Sequence, residues 1–120
     1  MESGIKVSEE TVAKFNQMKL KKVKTRYMVL KVKGNFVDVE NDGEGDVEEL
    51  LTVLPNDECT FVVYDKGQNL VLFMFAPSGA TTQSRTVYST TKQTVENALP
   101  GVRLHRNLVE DHDEVRDALK

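Results

Sequence analysis

Thr60-Phe61-Val62-Val63-Tyr64-Asp65-Lys66-Gly67-Gln68-Asn69-Leu70-Val71-Leu72-Phe73-Met74-Phe75 is the stretch that decides the architecture. It holds two apolar runs, 60–64 and 70–75, joined by a short polar connection that contains a glycine. A strand with one wet face alternates apolar and polar residues. These runs are almost continuously apolar, so they read as strands covered on both faces. The connection 65–69 is short enough to make them a hairpin. The central pair of strands therefore needs a layer of chain on each side.

The flanking sequence supplies those layers. Upstream, 26–33 and 36–40 read as strands that alternate in part, with Gly34-Asn35 between them as a turn signal. Residues 41–45, Asn-Asp-Gly-Glu-Gly, read as a loop by composition. Asp46 is placed to cap a short helix carrying Val47, Leu50, Leu51 and Leu54, which Pro55-Asn56-Asp57 stops. Nearer the start, Ser8 precedes Glu9 and Glu10, and Val12, Phe15 and Met18 recur at helical spacing. Lysines follow at 19, 21, 22 and 24, so acid leads and base trails, as the helix dipole favours. The spacing predicts a helix over 8–21. Downstream, 76–80 is a loop, 83–98 a long helix ended by Pro100-Gly101, 102–108 a last strand and 111–119 a weak terminal helix. The expected order is α-β-β-α-β-β-α-β-α. It makes one α+β domain over 1–120, a central mixed five-stranded sheet flanked by helices on both faces.

Composition agrees and narrows the function. The 120 residues are 39% apolar and 29% charged, and the net charge is −3. That balance gives no general affinity for nucleic acid. The single cysteine, Cys59, lies in a strand-like run beside Asp57 and Glu58 and reads as a small buried hydrophobe. With no disulfide possible within the chain, no apolar leader at Met1-Glu2-Ser3-Gly4-Ile5 and no apolar run past about eight residues, the expectation is a cytoplasmic protein without a transmembrane segment. His105 and His112 are the only histidines, and neither sits in a catalytic or metal-binding pattern. No phosphate-cradling glycine loop is present, so neither an enzyme nor a cofactor or metal is expected.

The long helix carries the functional signal. On a helical wheel, Val87, Tyr88, Thr91, Val95, Ala98 and Leu99 share the buried side. Thr86, Thr90, Gln93 and Asn97 point away, with Arg85, Ser89, Lys92 and Glu96 along one flank. Exposed β-branched threonines are poor helix formers, and solvent alone would favour Lys, Glu or Gln there. Short side chains instead leave a low surface on which another protein can pack, with Arg85 and Lys92 beside it.

Arg85-Thr-Val-Tyr-Ser-Thr-Thr-Lys92 resembles the actin-binding helix of the actin-depolymerising factor/cofilin family. Three further segments resemble the family in the same order. They are Ser3-Gly4-Ile5-Lys6-Val7 with the following helix, Leu54-Pro55-Asn56-Asp57-Glu58-Cys59 with Tyr64-Asp65, and Phe75-Ala76-Pro77. The resemblance implies a monomeric actin binder whose N-terminus and long helix wedge between two subdomains of actin. Matched by position, Ser3, Gly4, Ile5, Arg85, Thr86, Ser89 and Lys92 form the monomer-binding site, and Ser3 matches a serine regulated by phosphorylation. The family's usual Met is Thr86 here, and a commonly basic position is Gln83. Many members have a longer charged projection where this chain has only 65–69, with Lys66 its one basic residue. In that respect it looks like the short members of apicomplexan parasites. With Asp113, Glu114 and Arg116 on a short terminal helix as the other candidates for filament contact, the expectation is a preference for monomeric ADP-actin, weak filament binding and weak severing.

A second reading is a phosphoinositide or acidic-ligand module. Lys19, Lys21, Lys22, Lys24 and Arg26 form one basic cluster, and Arg103, His105 and Arg106 another. Near an anionic membrane each basic residue contributes about 1 kcal/mol. A third is a member of the same fold that has lost actin for another partner.

Overall fold

The computed structural model describes residues 5–67, 69–105 and 109–119. The elements run β1 (Lys6–Val7), α1 (Glu9–Lys19), β2 (Tyr27–Lys33), β3 (Phe36–Gly43), α2 (Val47–Val53), β4 (Thr60–Asp65), β5 (Leu70–Phe75), α3 (Thr82–Ala98), β6 (Arg103–Leu104) and α4 (His112–Ala118). They form one mixed sheet in the order β1-β3-β2-β4-β5-β6. The four inner strands are antiparallel, while β1 joins β3 and β6 joins β5 in parallel.

Residues of β4 and β5 alternate between two cores, as their continuous apolar character requires. Phe61, Val63, Leu72 and Met74 pack with Phe15 and Met18 of α1 and with Tyr88 and Val95 of α3. Val62, Tyr64, Val71 and Phe73 pack with Leu50 and Leu51 of α2 and Val115 of α4. Every residue of both strands is buried. Cys59 is buried in the first core as a free thiol.

Each helix starts on a side-chain cap. Ser8, Asp46, Thr81 and Asp111 accept the backbone N–H of Thr11, Glu49, Ser84 and Glu114 respectively. These caps satisfy amides that have no partner within the helix. The long helix ends in a turn at Gly101, whose φ is +94°. A Cβ there would meet only the mobile tip of Lys19, so it is the backbone conformation that calls for glycine.

Three expectations are corrected. The sheet has six strands rather than five, because 6–7 pairs with 36–37 as β1. A two-residue strand is too short to show a period. The segment 41–43 is strand, not loop: Tyr27 pairs with Gly43, Met28 with Asp42 and Val29 with Asn41, across a register shift between Val29 and Leu30. Pairing with a fully buried neighbour outweighs local turn composition there. Finally, β6 is limited to Arg103–Leu104, and 106–108 of the expected last strand lie outside the described residues.

Tyr27 shows how the sheet is tied to α2. Its hydroxyl donates to Glu49 Oε2 at 2.9 Å. Burial, then the Glu49 hydrogen bond and nearby carboxylate charge, push its pKa up to about 12 from 10.0. The fold thus favours the neutral phenol. That stability is complete below pH ~10 and is lost as pH rises through ~12. Alkaline titration followed by tyrosinate absorbance and circular dichroism should show unfolding in that window, and Tyr27→Phe should flatten the slope. In urea, Leu72→Ala should cost about 2–5 kcal/mol. Phe36→Ala, at a position 50% exposed, should cost much less.

Candidate functional site

Helix α3 is set on the sheet by Tyr88. Its ring lies against Phe61, with centroids 5.0 Å apart. Its hydroxyl accepts the Val32 backbone N–H at 2.9 Å. Strand β4 pairs with β2 only from Tyr27 to Leu30. Beyond that point the tyrosine oxygen supplies the acceptor that a neighbouring strand would otherwise provide. Burial raises the Tyr88 pKa, while the Val32 bond and Lys31 oppose the rise.

With Tyr88, Thr91, Val95 and Leu99 buried, the opposite face of α3 is fixed. Thr86, Thr90, Gln93 and Asn97 are all exposed, as the wheel predicts, and Ser89 of the flank is exposed with them. The threonines turn back on their own helix. Thr86 Oγ1 donates to Thr82 O at 3.0 Å, and Thr90 Oγ1 contacts Val87 O at 2.9 Å and Thr86 O at 3.1 Å. Their methyl groups and satisfied hydroxyls make a low, dry-tolerant surface. Arg85 is half-buried and donates through Nη2 to Ala76 O at 3.3 Å and Pro77 O at 2.9 Å. It thereby holds the loop that leads into its own helix, a role the sequence does not reveal. Ser89 Oγ lies 3.8 Å from Met74 Sδ. Lys92 is half-buried and makes no ion pair among the described residues.

The N-terminal part of the site converges on this helix. Strand β1 lies against α3, and Ile5 packs on the core that α1 and α3 share. Ser3, the expected phosphorylation site, and Gly4 lie outside the described residues. Ile5, Arg85, Thr86, Ser89 and Lys92 belong to a single side of the molecule, that of the α1/α3 layer.

The residues expected to touch a filament are differently placed. Lys66 is exposed in the β4–β5 connection, where its backbone N–H donates to Asn69 O at 2.9 Å. The α4 charges are closed on their own chain. Arg116 grips Glu48 of α2 through Nε at 2.8 Å and Nη2 at 3.0 Å, and Asp113 through Nη1 at 2.9 Å. Arg116 holds the Glu48 carboxyl below the usual carboxylate range, chiefly by these hydrogen bonds. Glu114 accepts the Glu110 backbone N–H at 3.0 Å.

The basic clusters are also partly engaged. Lys19 Nζ donates to Pro100 O at 2.9 Å, and Lys21 Nζ to Asp65 Oδ2 at 2.6 Å and Gly67 O at 3.2 Å. Lys22 and Arg103 are exposed, and Arg106 lies outside the described residues. Among the described residues no three His, Cys, Asp or Glu side chains converge as metal ligands, and no helix is long and apolar enough to cross a membrane.

The fold and this helix face define a class. The family model described as cofilin/tropomyosin-type actin-binding protein matches residues 4–119, and the chain belongs to that family, one of non-catalytic actin-binding proteins. It is 33% identical over 101 residues to the actin depolymerizing factor of Toxoplasma gondii, covering 84% of this chain and 85% of that protein. It is 26% identical over 121 residues to cofilin/actin-depolymerizing factor homolog 1 of Plasmodium falciparum, covering 98% of each. A solved structure of the Toxoplasma protein superposes with a TM-score of 0.77 at 29% identity over 98% of both chains. Streptomyces griseoflavus cofilin superposes at 0.84, over 96% of this chain and 92% of its own; at 24% identity that likeness speaks for the fold alone.

Replacing Tyr88 by Phe should leave the Val32 N–H without its acceptor and cost about 1–3 kcal/mol. Urea unfolding measures that loss, and amide exchange at Val32 should quicken in step.

Proposed function

We propose that the protein binds monomeric actin, with preference for the ADP form, and promotes filament disassembly, with weak filament binding and severing. The observation that carries this reading is the exposed face of α3: small, self-satisfied side chains flanked by Arg85 and Lys92, next to the β1 end of the chain. Such a face offers close backbone approach at its centre and cationic anchors at its edge, which suits an acidic protein surface. Thr86 and Gln83 remove one apolar and one basic contact relative to the family pattern, so the affinity rests on fewer anchors. Weak filament binding is supported by the short 65–69 connection and by the ion pairs that occupy Arg116 and Asp113. The ADP preference rests on the resemblance alone. Phosphorylation of Ser3 would add about −1.5 to −2 charges to the docking surface and oppose binding. The setting proposed is the cytoplasmic actin cytoskeleton, with a monomeric protein of one domain over 1–120.

The phosphoinositide reading is retained as a regulatory one. Among the described residues of that set Lys19, Lys21, Lys22 and Arg103 are all exposed, and Lys19 and Lys21 also serve acceptors of their own chain.

Fluorescence titration against monomeric ADP-actin tests the main reading. The wild type should bind near micromolar, about −8 kcal/mol. Arg85→Ala/Lys92→Ala should lose at least tenfold, about 1.4 kcal/mol. Circular dichroism must show the variant folded, because Arg85 also holds Ala76 and Pro77. A wild type that does not bind would transfer the fold to another partner. Pelleting of most of the protein with filaments at neutral pH would overturn the weak-filament part.

A further inference from the structure

The end of α1 is built in an unusual way. Lys21 has a φ of +59° and is the non-glycine residue in the left-handed region among those described. A glycine would fit that post-helical position with less strain. The lysine is used instead, and its ammonium reaches across the molecule. Nζ donates to Asp65 Oδ2 at 2.6 Å and to Gly67 O at 3.2 Å, residues 44 and 46 positions away.

The acceptor is a demanding one. The Asp65 side chain is only 10% exposed. Its other oxygen, Oδ1, accepts the Gly67 N–H at 2.7 Å, and its own N–H donates to Arg26 O at 2.7 Å. The Arg26 guanidinium lies 5.6 Å over the Tyr64 ring. A carboxylate so far withdrawn from water needs a counter-charge in place. Lys21 provides it and grips both residues that bracket Lys66 in sequence. The same helix end is pinned again by Lys19, which donates to Pro100 O after α3. Lys19, Lys21, Asp65, Asn69, Leu70 and Gly101 enclose a recess of about 140 Å³ between these two attachments.

We propose that Lys21 and Asp65 are positioning residues for filament engagement: their ion pair sets the conformation in which the β4–β5 connection presents Lys66. This rests on the reading of Lys66 as a filament contact. It also reassigns Lys21, which as a surface lysine would belong to a headgroup-binding cluster. A longer connection could explore many conformations and find a filament by adaptation. This one is short and closes on itself through the Lys66 N–H and Asn69 O, and the end of α1 holds it from outside through Lys21.

The test uses the full chain and four variants: Lys21→Gly, Lys21→Arg, Asp65→Asn and Lys66→Ala. Lys21→Gly removes the ammonium while relieving the backbone, so a loss of function cannot come from a worsened helix end. The measurements are filament co-sedimentation, titration of monomeric actin and hydrogen exchange at the Gly67 amide. Lys21→Gly and Asp65→Asn should weaken filament binding by about three- to tenfold, leave monomer affinity within about twofold, and speed exchange at Gly67. Lys21→Arg should retain most of the binding. If Lys66→Ala weakens pelleting but Lys21→Gly does not, the ion pair is overturned and the filament reading survives. If Lys66→Ala has no effect, the filament reading fails and takes this proposal with it. Equal loss of monomer and filament binding in Lys21→Gly, or unchanged exchange at Gly67, also overturns it.

Discussion

The structure depends on one constraint: β4 and β5 have no face that tolerates water. Phe61, Val62, Val63, Leu72, Phe73 and Met74 are each no more than 2% exposed. Neither neighbour layer is therefore optional. Helices α1 and α3 close one side and α2 and α4 the other, and each must keep an apolar stripe for the purpose. Burying a large aliphatic or aromatic side chain contributes roughly 1.5–3 kcal/mol, so this double-sided strand pair is the main source of cohesion.

That demand shapes helix α3 as well. Helix α3 has to commit Tyr88, Thr91, Val95 and Leu99 to the sheet, which fixes the rotation of the remaining side chains. The outward face is thus a by-product of the core, specialised by the choice of short residues. Its start is held from two directions. Arg85 binds the carbonyls of Ala76 and Pro77, and the loop after Pro77 passes so close to the one before β4 that a Cβ at Gly79 would sit 2.6 Å from Asn56 O. Arg85 consequently belongs to the scaffold and to the proposed interface at once.

Much of this is legible in the sequence because the signals are local and periodic. The unbroken apolar runs 60–64 and 70–75 announce a strand pair buried on both sides, and the period of α3 correctly separates Tyr88 and Val95 from Thr86 and Thr90. The misses have a common cause. Strand β1 is two residues long and exists only through its parallel pairing with 36–37. Asn41-Asp42-Gly43 carries turn-forming residues, and only register with β2 makes it strand. Asp65, which pairs with Lys21, and Glu48, which pairs with Arg116, lie 44 and 68 residues from them, and no spacing rule joins a lysine after one helix to an aspartate at the end of a strand. The candidate monomer site was legible as a helix face, whereas the filament-side charges could be named but not recognised as already paired.

The narrow hairpin between the central strands has an evolutionary corollary. Inside β4 or β5 an inserted residue would exchange every side chain beyond it between the two cores. In the connection between them Lys66, Gly67 and Asn69 are exposed. Length can change there for roughly 0.6 kcal/mol per doubling of the loop. A lineage can therefore lengthen or shorten this projection while the rest of the molecule is inherited intact. The strand pair buried on both faces thus carries a turn whose length can change.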